Sequence, residues 1–219
     1  MKFYFFLSSA ALLLTAGCAS LSSFKTAKPL GKGFTEGTFS VSHVATMNSK
    51  DSLIPGFMEE APEFWFFELQ GSMGLTEKLD VGLKYTFPLS GAVDAKYCLT
   101  RADKDRGFFF SPGLRIGYTS LPNDPDDSTK NNRVEFFVPM YMSMYFTDFL
   151  SLSLVPSYSG RFYTEASGYS NLLGGSVNVR IGKKFGMIAE YSHYHNFNME
   201  WDEYQAGAAL YFPLFKLFK

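Results

Sequence analysis

Three histidines, two of them next to serines, are the residues of this chain whose types and spacing best fit a catalytic role. His193 follows Ser192, His43 follows Ser42, and His195 lies two residues beyond His193. A histidine that takes the proton of a serine, or acts with paired carboxylates, is used for hydrolysis and acyl transfer. Histidine is equally common in aromatic-rich surfaces. We therefore expect no catalytic residue, and keep a hydrolase or acyltransferase with His193 or His195 as its base as the minor alternative.

An acidic loop is the second candidate site. The stretch Pro122–Asp127 carries Asp124, Asp126 and Asp127, whose carboxylate oxygens suit a divalent cation at a charged lipid surface. Their spacing is not that of a known calcium loop, so a solvated acidic loop is the preferred interpretation. A glycine-rich phosphate loop, a Cys/His zinc spacing and a nucleotide fingerprint are all missing from the sequence. We expect neither a cofactor nor a bound metal.

The N-terminus has the pattern of a secretion signal. Lys2 precedes an apolar stretch from Phe3 to Ala16, and small residues follow it. Within this stretch, Leu14–Cys18 resembles the lipobox of bacterial lipoproteins, in which the cysteine becomes the lipidated first residue of the mature chain. Lipidation of Cys18 is therefore expected, with ordinary cleavage after Ala19 as the alternative.

Composition favours strands that are apolar on one side. Aromatic residues make up 18% of the chain, yet the mean hydropathy is −0.04, so large rings and polar residues must be interleaved. After the signal, no stretch approaches the roughly 18 apolar residues that a membrane-spanning helix needs. The 20 basic and 21 acidic residues nearly cancel, which leaves no basic surface for nucleic acid.

The interleaving has a period of two. From Trp65 to Leu75 apolar residues alternate with mostly polar ones, and after a turn at 76–78 the alternation resumes from Leu79 to Phe87. Eight further segments repeat it, the weakest being Thr38–Thr46. The pattern predicts an all-β, closed, antiparallel up-and-down transmembrane barrel of about ten strands, with eight as the fallback. The predicted divisions are a signal peptide at 1–17, an N-terminal linker at 18–33, the barrel at 34–212 and a C-terminal tail at 213–219.

Charge placement distinguishes a membrane barrel from a soluble sandwich. On the nine clear strands the apolar face carries no charge, and aromatic residues lie near the strand ends, as a lipid-facing surface with interfacial girdles requires. Short connections at 76–78, 147–148 and 182–184 alternate with longer ones at 47–62, 121–132, 162–170 and 195–202. The other face is expected to line the lumen, and its charged residues are Glu68, Asp80, Lys84, Asp94, Lys96, Arg115, Glu135, Arg180 and Glu190.

The end of the last strand resembles the assembly signal of the small outer-membrane β-barrels of Gram-negative bacteria. The residues concerned are Gln205, Gly207, Leu210 and Phe212. The resemblance implies a location in the outer membrane, with membrane lipid and the barrel-assembly machinery as partners. It carries no catalytic or ligand-binding residue with it.

Three function classes remain open. A structural or interaction role at the cell surface is preferred, with a narrow channel or carrier for small molecules and an enzyme acting at the outer leaflet as alternatives. A barrel of ten strands has little free interior, so we expect paired side chains to close the lumen. The long connection from Met47 to Pro62 is a candidate lid or partner contact.

Overall fold

The computed structural model describes residues 20–48, 63–87, 90–100, 106–120, 132–164, 168–198 and 200–216. These residues form ten β-strands. Their bounds are β1 Phe34–Asn48, β2 Glu63–Gly74, β3 Leu79–Phe87, β4 Ser90–Tyr97, β5 Gly107–Thr119, β6 Arg133–Tyr145, β7 Leu150–Tyr163, β8 Tyr169–Gly182, β9 Gly186–Asn196 and β10 Trp201–Lys216. Within the described part of the chain, no helix is long and apolar enough to cross a membrane.

The strands close into one antiparallel barrel. Each strand pairs with its neighbours in the chain, and β1 pairs with β10 to complete the ring. This confirms the prediction of a ten-stranded up-and-down barrel. The weak first strand is longer than its pattern suggested, because it pairs with β10 from Phe34 to Asn48 and with β2 from Thr35 to Ala45.

The outer face of the barrel is apolar, as expected. Trp65 and Leu83 are 63% and 67% exposed, although both lie within strands. Charged side chains of the same strands, such as Glu68 and Lys84, are buried inside. An exposed apolar band around a polar interior matches a hydrocarbon surrounding. Aromatic side chains mark both margins of the band, with Phe34, Tyr97, Phe108, Phe146, Phe149 and Phe185 at one end and Trp65, Tyr85, Tyr118, Phe162 and Tyr169 at the other.

The two ends of the barrel differ in their connections. We call the end with the connections at 75–78, 98–106, 146–149 and 183–185 the turn end, and the opposite end the loop end. The expected alternation of short and long connections does not hold around β4. Residues 88–89 make a short connection at the loop end, whereas 98–106 is a longer one at the turn end.

The last strand extends beyond the expected boundary at Phe212. Residues 213–216, expected as a tail, belong to β10. The main-chain nitrogen of Phe215 donates to Thr35 Oγ1 over 2.8 Å, and the pairing with β1 shifts register near Phe34. Pro213 lies opposite Glu36 at this irregularity, where a missing N–H donor is tolerated.

The stretch expected as a linker lies inside the barrel. Ser20–Leu30, which we call the N-terminal segment, runs through the lumen without forming a strand, and residues 20–27 are buried. The chain turns from this segment into β1 at the turn end, through Gly31 and Gly33, whose φ angles of 85° and 77° favour glycine. Gly74 makes room for this turn, because a Cβ there would overlap the carbonyl of Gly31.

Candidate functional site

The lumen and the N-terminal segment inside it form the candidate functional site. All nine charged residues expected in the lumen belong to strands and face inward, where most are almost completely buried. Several of them bind the N-terminal segment as well as one another. They therefore serve to hold a peptide as well as to pair charges.

Carboxylates of the wall accept hydrogen bonds from the main chain of the segment. The Glu190 carboxylate accepts from the N–H groups of Ser23 and Phe24, each over 2.9 Å, and from the Ser23 hydroxyl over 2.9 Å. Nearer the turn end, Asp80 accepts from the N–H of Leu30 over 3.1 Å. Main-chain N–H groups that would otherwise be buried without partners are satisfied in this way.

Cationic side chains bind the carbonyl groups of the same segment. Lys84 Nζ donates to the carbonyl oxygens of Ser20 and Ser22 over 3.3 and 2.8 Å, and Arg115 donates to that of Ser22 over 3.0 Å. Lys96 donates to the carbonyl oxygens of Thr26 and Lys28. Two neutral donors continue the row, Asn178 to the carbonyl oxygen of Lys25 and Ser111 to that of Ala27.

Three ion pairs lie around the segment. Lys25, the buried cation of the segment, contacts Asp94 of β4. Two pairs join wall residues, Lys84 to Glu68 over 3.0 Å and Lys96 to Asp80 over 3.3 Å. Buried charges persist when each is paired and further hydrogen-bonded, and the segment supplies much of that further bonding.

Three apolar residues anchor the segment in separate pockets. Leu21 packs with Phe137, Leu172 and Tyr194, whereas Phe24 packs with Ile188, Ala209 and Tyr211. Ala27 lies in a third cluster with Cys98, Phe109, Tyr141 and Val155. A spacing of three residues therefore places successive anchors against different parts of the wall.

Two wall glycines leave space for side chains of the segment. A Cβ on Gly207 would lie 2.8 Å from Cζ of Phe24, and a Cβ on Gly82 would lie 2.8 Å from Nζ of Lys25. Gly71, by contrast, has nothing within 4 Å of such a Cβ. The lack of a side chain at Gly207 and Gly82 thus leaves room for Phe24 and Lys25 of the segment.

A second ionic cluster lies near the loop end and joins three wall residues. Arg161 of β7 donates through Nε to Glu135 over 2.9 Å, and through its two terminal nitrogens to Glu203 of β10 over 3.0 and 3.3 Å. All three side chains are at least 94% buried. We call these residues the loop-end cluster. At the turn end, Arg180 similarly binds Glu36 over 2.6 Å.

Sequence reasoning left several of these residues out of the lumen set. Lys25 lies in the stretch expected as a linker, and Glu36, Arg161 and Glu203 are not among the charges that the sequence predicts for the lumen. The sequence did indicate an inward direction for two of them. Glu203 lies two residues before Gln205 and therefore on the same polar face, and Glu36 lies likewise on the face of Thr38, Ser40 and Ser42. Lys25 had no such signal, since the segment forms no strand.

The histidines lie on the outer face near the loop end. His193 Nε2 and His195 Nδ1 lie 3.2 and 3.0 Å from one oxygen of Asp202, and the ring of His193 stacks on Tyr204. Ser192 points into the lumen, because neighbours in a strand face opposite sides. Ser192 and His193 therefore cannot act as a pair.

The other histidine candidates separate in the same way. Ser42 is fully buried, while His43 packs against the exposed ring of Trp65 at a centroid distance of 4.9 Å. Within the part of the chain that the structure describes, no three His, Cys, Asp or Glu side chains form a group able to hold a metal ion. Asp124, Asp126, Asp127, Cys18 and residues 49–62 of the long first connection lie outside the described residues.

The residues of the expected assembly signal lie on β10. Gln205 and Gly207 face the lumen, and Gln205 donates to Ser20 Oγ over 2.7 Å. Leu210 is 53% exposed on the outer face, and Phe212 packs near Gly37. The inward members of the set thus contact the N-terminal segment.

The fold and its apolar exterior define a bacterial outer-membrane β-barrel with an occupied lumen. The family described as "Membrane bound beta barrel domain (DUF5777)" matches residues 63–212, and the chain belongs to this family. No curated protein sequence matches the chain.

Solved outer-membrane barrels are similar to this chain in fold. The N-terminal β-barrel domain of OprF from Pseudomonas aeruginosa is 11% identical, with 83% of this chain and 99% of that chain covered and a TM-score of 0.39. The outer membrane protease OmpT from Escherichia coli is 9% identical, with 88% and 100% covered and a TM-score of 0.42. Ail of Yersinia pestis is 9% identical, with 83% and 99% covered and a TM-score of 0.33.

Proposed function

We propose that this protein is a closed outer-membrane barrel with a structural or interaction role at the cell surface. The observation that carries the proposal is the N-terminal segment in the lumen, whose residues 20–27 are buried against the wall. A solute crossing the barrel would have to break the hydrogen bonds and ion pairs that hold this segment. Closure is therefore the resting condition of the barrel.

Conductance in planar lipid bilayers tests the proposal. The mature protein is expected to insert without discrete conductance steps. A Leu21→Asp variant places a carboxylate in the apolar pocket of Phe137, Leu172 and Tyr194, and is expected to release the segment and produce steps. Lys32→Asp, at an exposed position just after the segment, is the matched control and is expected to stay silent. Steady conductance by the unaltered protein would contradict a closed barrel.

A narrow channel or carrier is the second candidate function. The charged residues of the wall favour it. Glu190, Lys84 and Lys96 bind the main chain of the segment, so its displacement would expose them to the lumen. A lumen lined with both signs of charge would then admit small polar solutes. Liposome swelling with neutral sugars, compared between the unaltered protein and Leu21→Asp, distinguishes a regulated channel from a permanently closed barrel.

Catalysis is not part of this proposal. The outward His193 and His195 share a carboxylate, Asp202, and we assign them to the polar margin of the membrane-facing surface. If a double His193→Ala, His195→Ala variant lost a peptide- or lipid-hydrolysing activity present in the unaltered protein, the assignment would be wrong.

Export with a cleaved signal and lipidation of Cys18 remain part of the proposal. Lipidation would make Cys18 the first residue of the mature chain, whereas cleavage after Ala19 would make Ser20 the first residue. Mass spectrometry of the mature N-terminus distinguishes the two products.

Assembly by the barrel-assembly machinery also remains a proposal. It rests on Gln205, Gly207, Leu210 and Phe212 at the end of the barrel. A Leu210→Ser, Phe212→Ser variant is expected to reduce the amount of folded protein in the outer membrane. Unchanged amounts would remove these residues from the assembly signal.

A further inference from the structure

We propose that the lumen is an exchangeable binding site for an extended peptide, recognised mainly through its main chain, and that the N-terminal segment is its resident ligand. The proposal deepens the proposed function, since it rests on the segment being what closes the barrel. The ligand class is a peptide of about ten residues that enters from the turn end.

The contacts of the segment are those of a bound peptide rather than of a strand. Wall side chains bind the N–H groups of Ser23, Phe24, Ala27 and Leu30, and the carbonyl groups of Ser20, Ser22, Lys25, Thr26, Ala27 and Lys28. Main-chain groups are present in every peptide, so such contacts make few demands on side-chain identity. The carboxylates and cations are already held in place by the barrel strands.

The side chains add a short recognition pattern. Apolar residues occupy the second, fifth and eighth positions of the segment, at Leu21, Phe24 and Ala27, and a cation occupies the sixth, at Lys25 beside Asp94. Serine or threonine occupies the remaining positions up to the seventh, and each hydroxyl is hydrogen-bonded to a wall side chain: Ser20 to Gln205, Ser22 to Glu68, Ser23 to Glu190 and Thr26 to Tyr145. The segment also has an unusual backbone conformation at Phe24, whose φ of 41° lies in the left-handed region.

The link between ligand and barrel is a single exposed turn. Lys32 lies between Gly31 and Gly33 at the turn end and is exposed, whereas Ser20–Ala27 is buried. A cut at Lys32 would leave the segment held by noncovalent contacts only. The tertiary structure therefore allows the bound peptide to be separated from its receptor after folding.

Exchange in the full-length protein tests the proposal. A specific protease recognition sequence is inserted after Lys32, the mature chain is folded in detergent micelles, and the protein is then cut. A fluorescent peptide with the sequence of residues 20–32 is added, and binding is followed by anisotropy after the excess peptide has been removed. We expect the labelled peptide to replace the resident segment in the cut protein, and to bind far less to the uncut protein.

Three controls make the exchange specific. A peptide carrying Leu21→Ser and Phe24→Ser is expected to compete more than about tenfold less well, because two apolar anchors are lost. A peptide of reversed sequence is expected not to compete, because, bound in the main-chain direction of the resident segment, it would place lysines in the apolar pockets of Phe24 and Ala27. In the wall, Glu190→Gln weakens the acceptor of two N–H groups and is expected to speed release of the labelled peptide.

Two results would overturn the proposal. One is a cut barrel that takes up no labelled peptide, whether the resident segment stays bound or leaves. The other is equal competition by the native and reversed peptides, which would indicate nonspecific adsorption. Conductance of the uncut protein is measured in parallel, because steps there would contradict the closed barrel, whereas a silent uncut barrel without exchange contradicts the peptide site alone.

Discussion

The lumen contains two buried ionic regions that are built differently. In the loop-end cluster, Arg161, Glu135 and Glu203 come from barrel strands and satisfy one another directly. In the middle of the lumen, Glu190 and Lys84 use the main chain of the N-terminal segment as a partner. The printed contacts of the first region join strand to strand, whereas those of the second join the strands to the segment.

Because of this difference, one region should govern the stability of the barrel and the other the closure of its lumen. The loop-end cluster joins β6, β7 and β10, so its loss should weaken the barrel itself. The contacts in the middle of the lumen join the wall to a segment outside the β-sheet, so their loss should free the segment while the sheet stays intact. Variants in the two regions are therefore expected to have different readouts.

The largest effect on stability is expected at Arg161. Arg161→Met leaves the carboxylates of Glu135 and Glu203 buried without their cation, which should lower the free energy of unfolding by about 3–5 kcal/mol. Guanidinium unfolding in lipid vesicles, followed by tryptophan fluorescence, measures the change. Lys183→Met, at an exposed turn, is the control. A loss below 1 kcal/mol would show that the loop-end cluster does not hold the barrel together.

The next effect is expected at Phe24 and concerns closure. Phe24→Ala removes a buried ring from its pocket, a change that costs about 3–5 kcal/mol in a protein core. The cost falls on the contact between segment and wall, so discrete conductance steps should appear while unfolding in denaturant shifts less than for Arg161→Met. Phe185→Ala, on the exposed outer face, is the control. A silent Phe24→Ala variant would mean that the remaining contacts suffice for closure.

A smaller effect is expected at Gly207. Gly207→Ala places a Cβ 2.8 Å from both Phe24 Cζ and the carbonyl oxygen of Val41, which should cost about 1–3 kcal/mol through overpacking. Gly71→Ala has nothing within 4 Å and should change little. Both are measured on refolded protein, so that assembly in the cell plays no part.

A double-mutant cycle sharpens the Gly207 result. If the ring of Phe24 causes part of the cost, Gly207→Ala should be less harmful in a Phe24→Ala background. Equal costs in both backgrounds would assign the whole effect to the wall itself, at Val41 and Ser42.

The smallest effect is expected at an exposed ion cluster of the turn end. Hydrogen bonds from Arg106 and Lys183 lower the pKa of Asp148 below its ordinary value. The resulting stabilisation is complete above the unfolded-state pKa and is lost as the pH falls through the folded-state pKa. Asp148→Asn should therefore slightly reduce stability at neutral pH and have no effect at strongly acidic pH. A larger loss of stability at acidic pH than at neutral pH would contradict this pH dependence.

The strands and their faces were predictable from local pattern. The alternation over Trp65–Leu75 needs only neighbouring residues to be recognised, because successive side chains of a strand point to opposite sides. Uncharged outer faces then indicate lipid, and charged inner faces indicate a lumen. Closure and the membrane setting followed, since an antiparallel chain with short connections has few other ways to remove its edges. The number of strands was left open between ten and eight.

The partners inside the lumen were decided only by tertiary structure. The contact between Lys25 and Asp94 joins residues far apart in the chain, and the Arg161 bridge to Glu203 joins strands that are not neighbours in the sheet. No local period marks such contacts. The outward pairing of His193 and His195 with Asp202 likewise depends on the register between β9 and β10.

The sequence by itself thus determined that this chain forms a barrel, and which face meets hydrocarbon. The position of Ser20–Leu30 inside that barrel was decided by tertiary structure, because the segment lacks the period-two pattern of a strand and is stabilised by side chains from β2 to β10 around it. Period-two alternation is a property of each strand alone, whereas a bound segment acquires its conformation only from the closed wall.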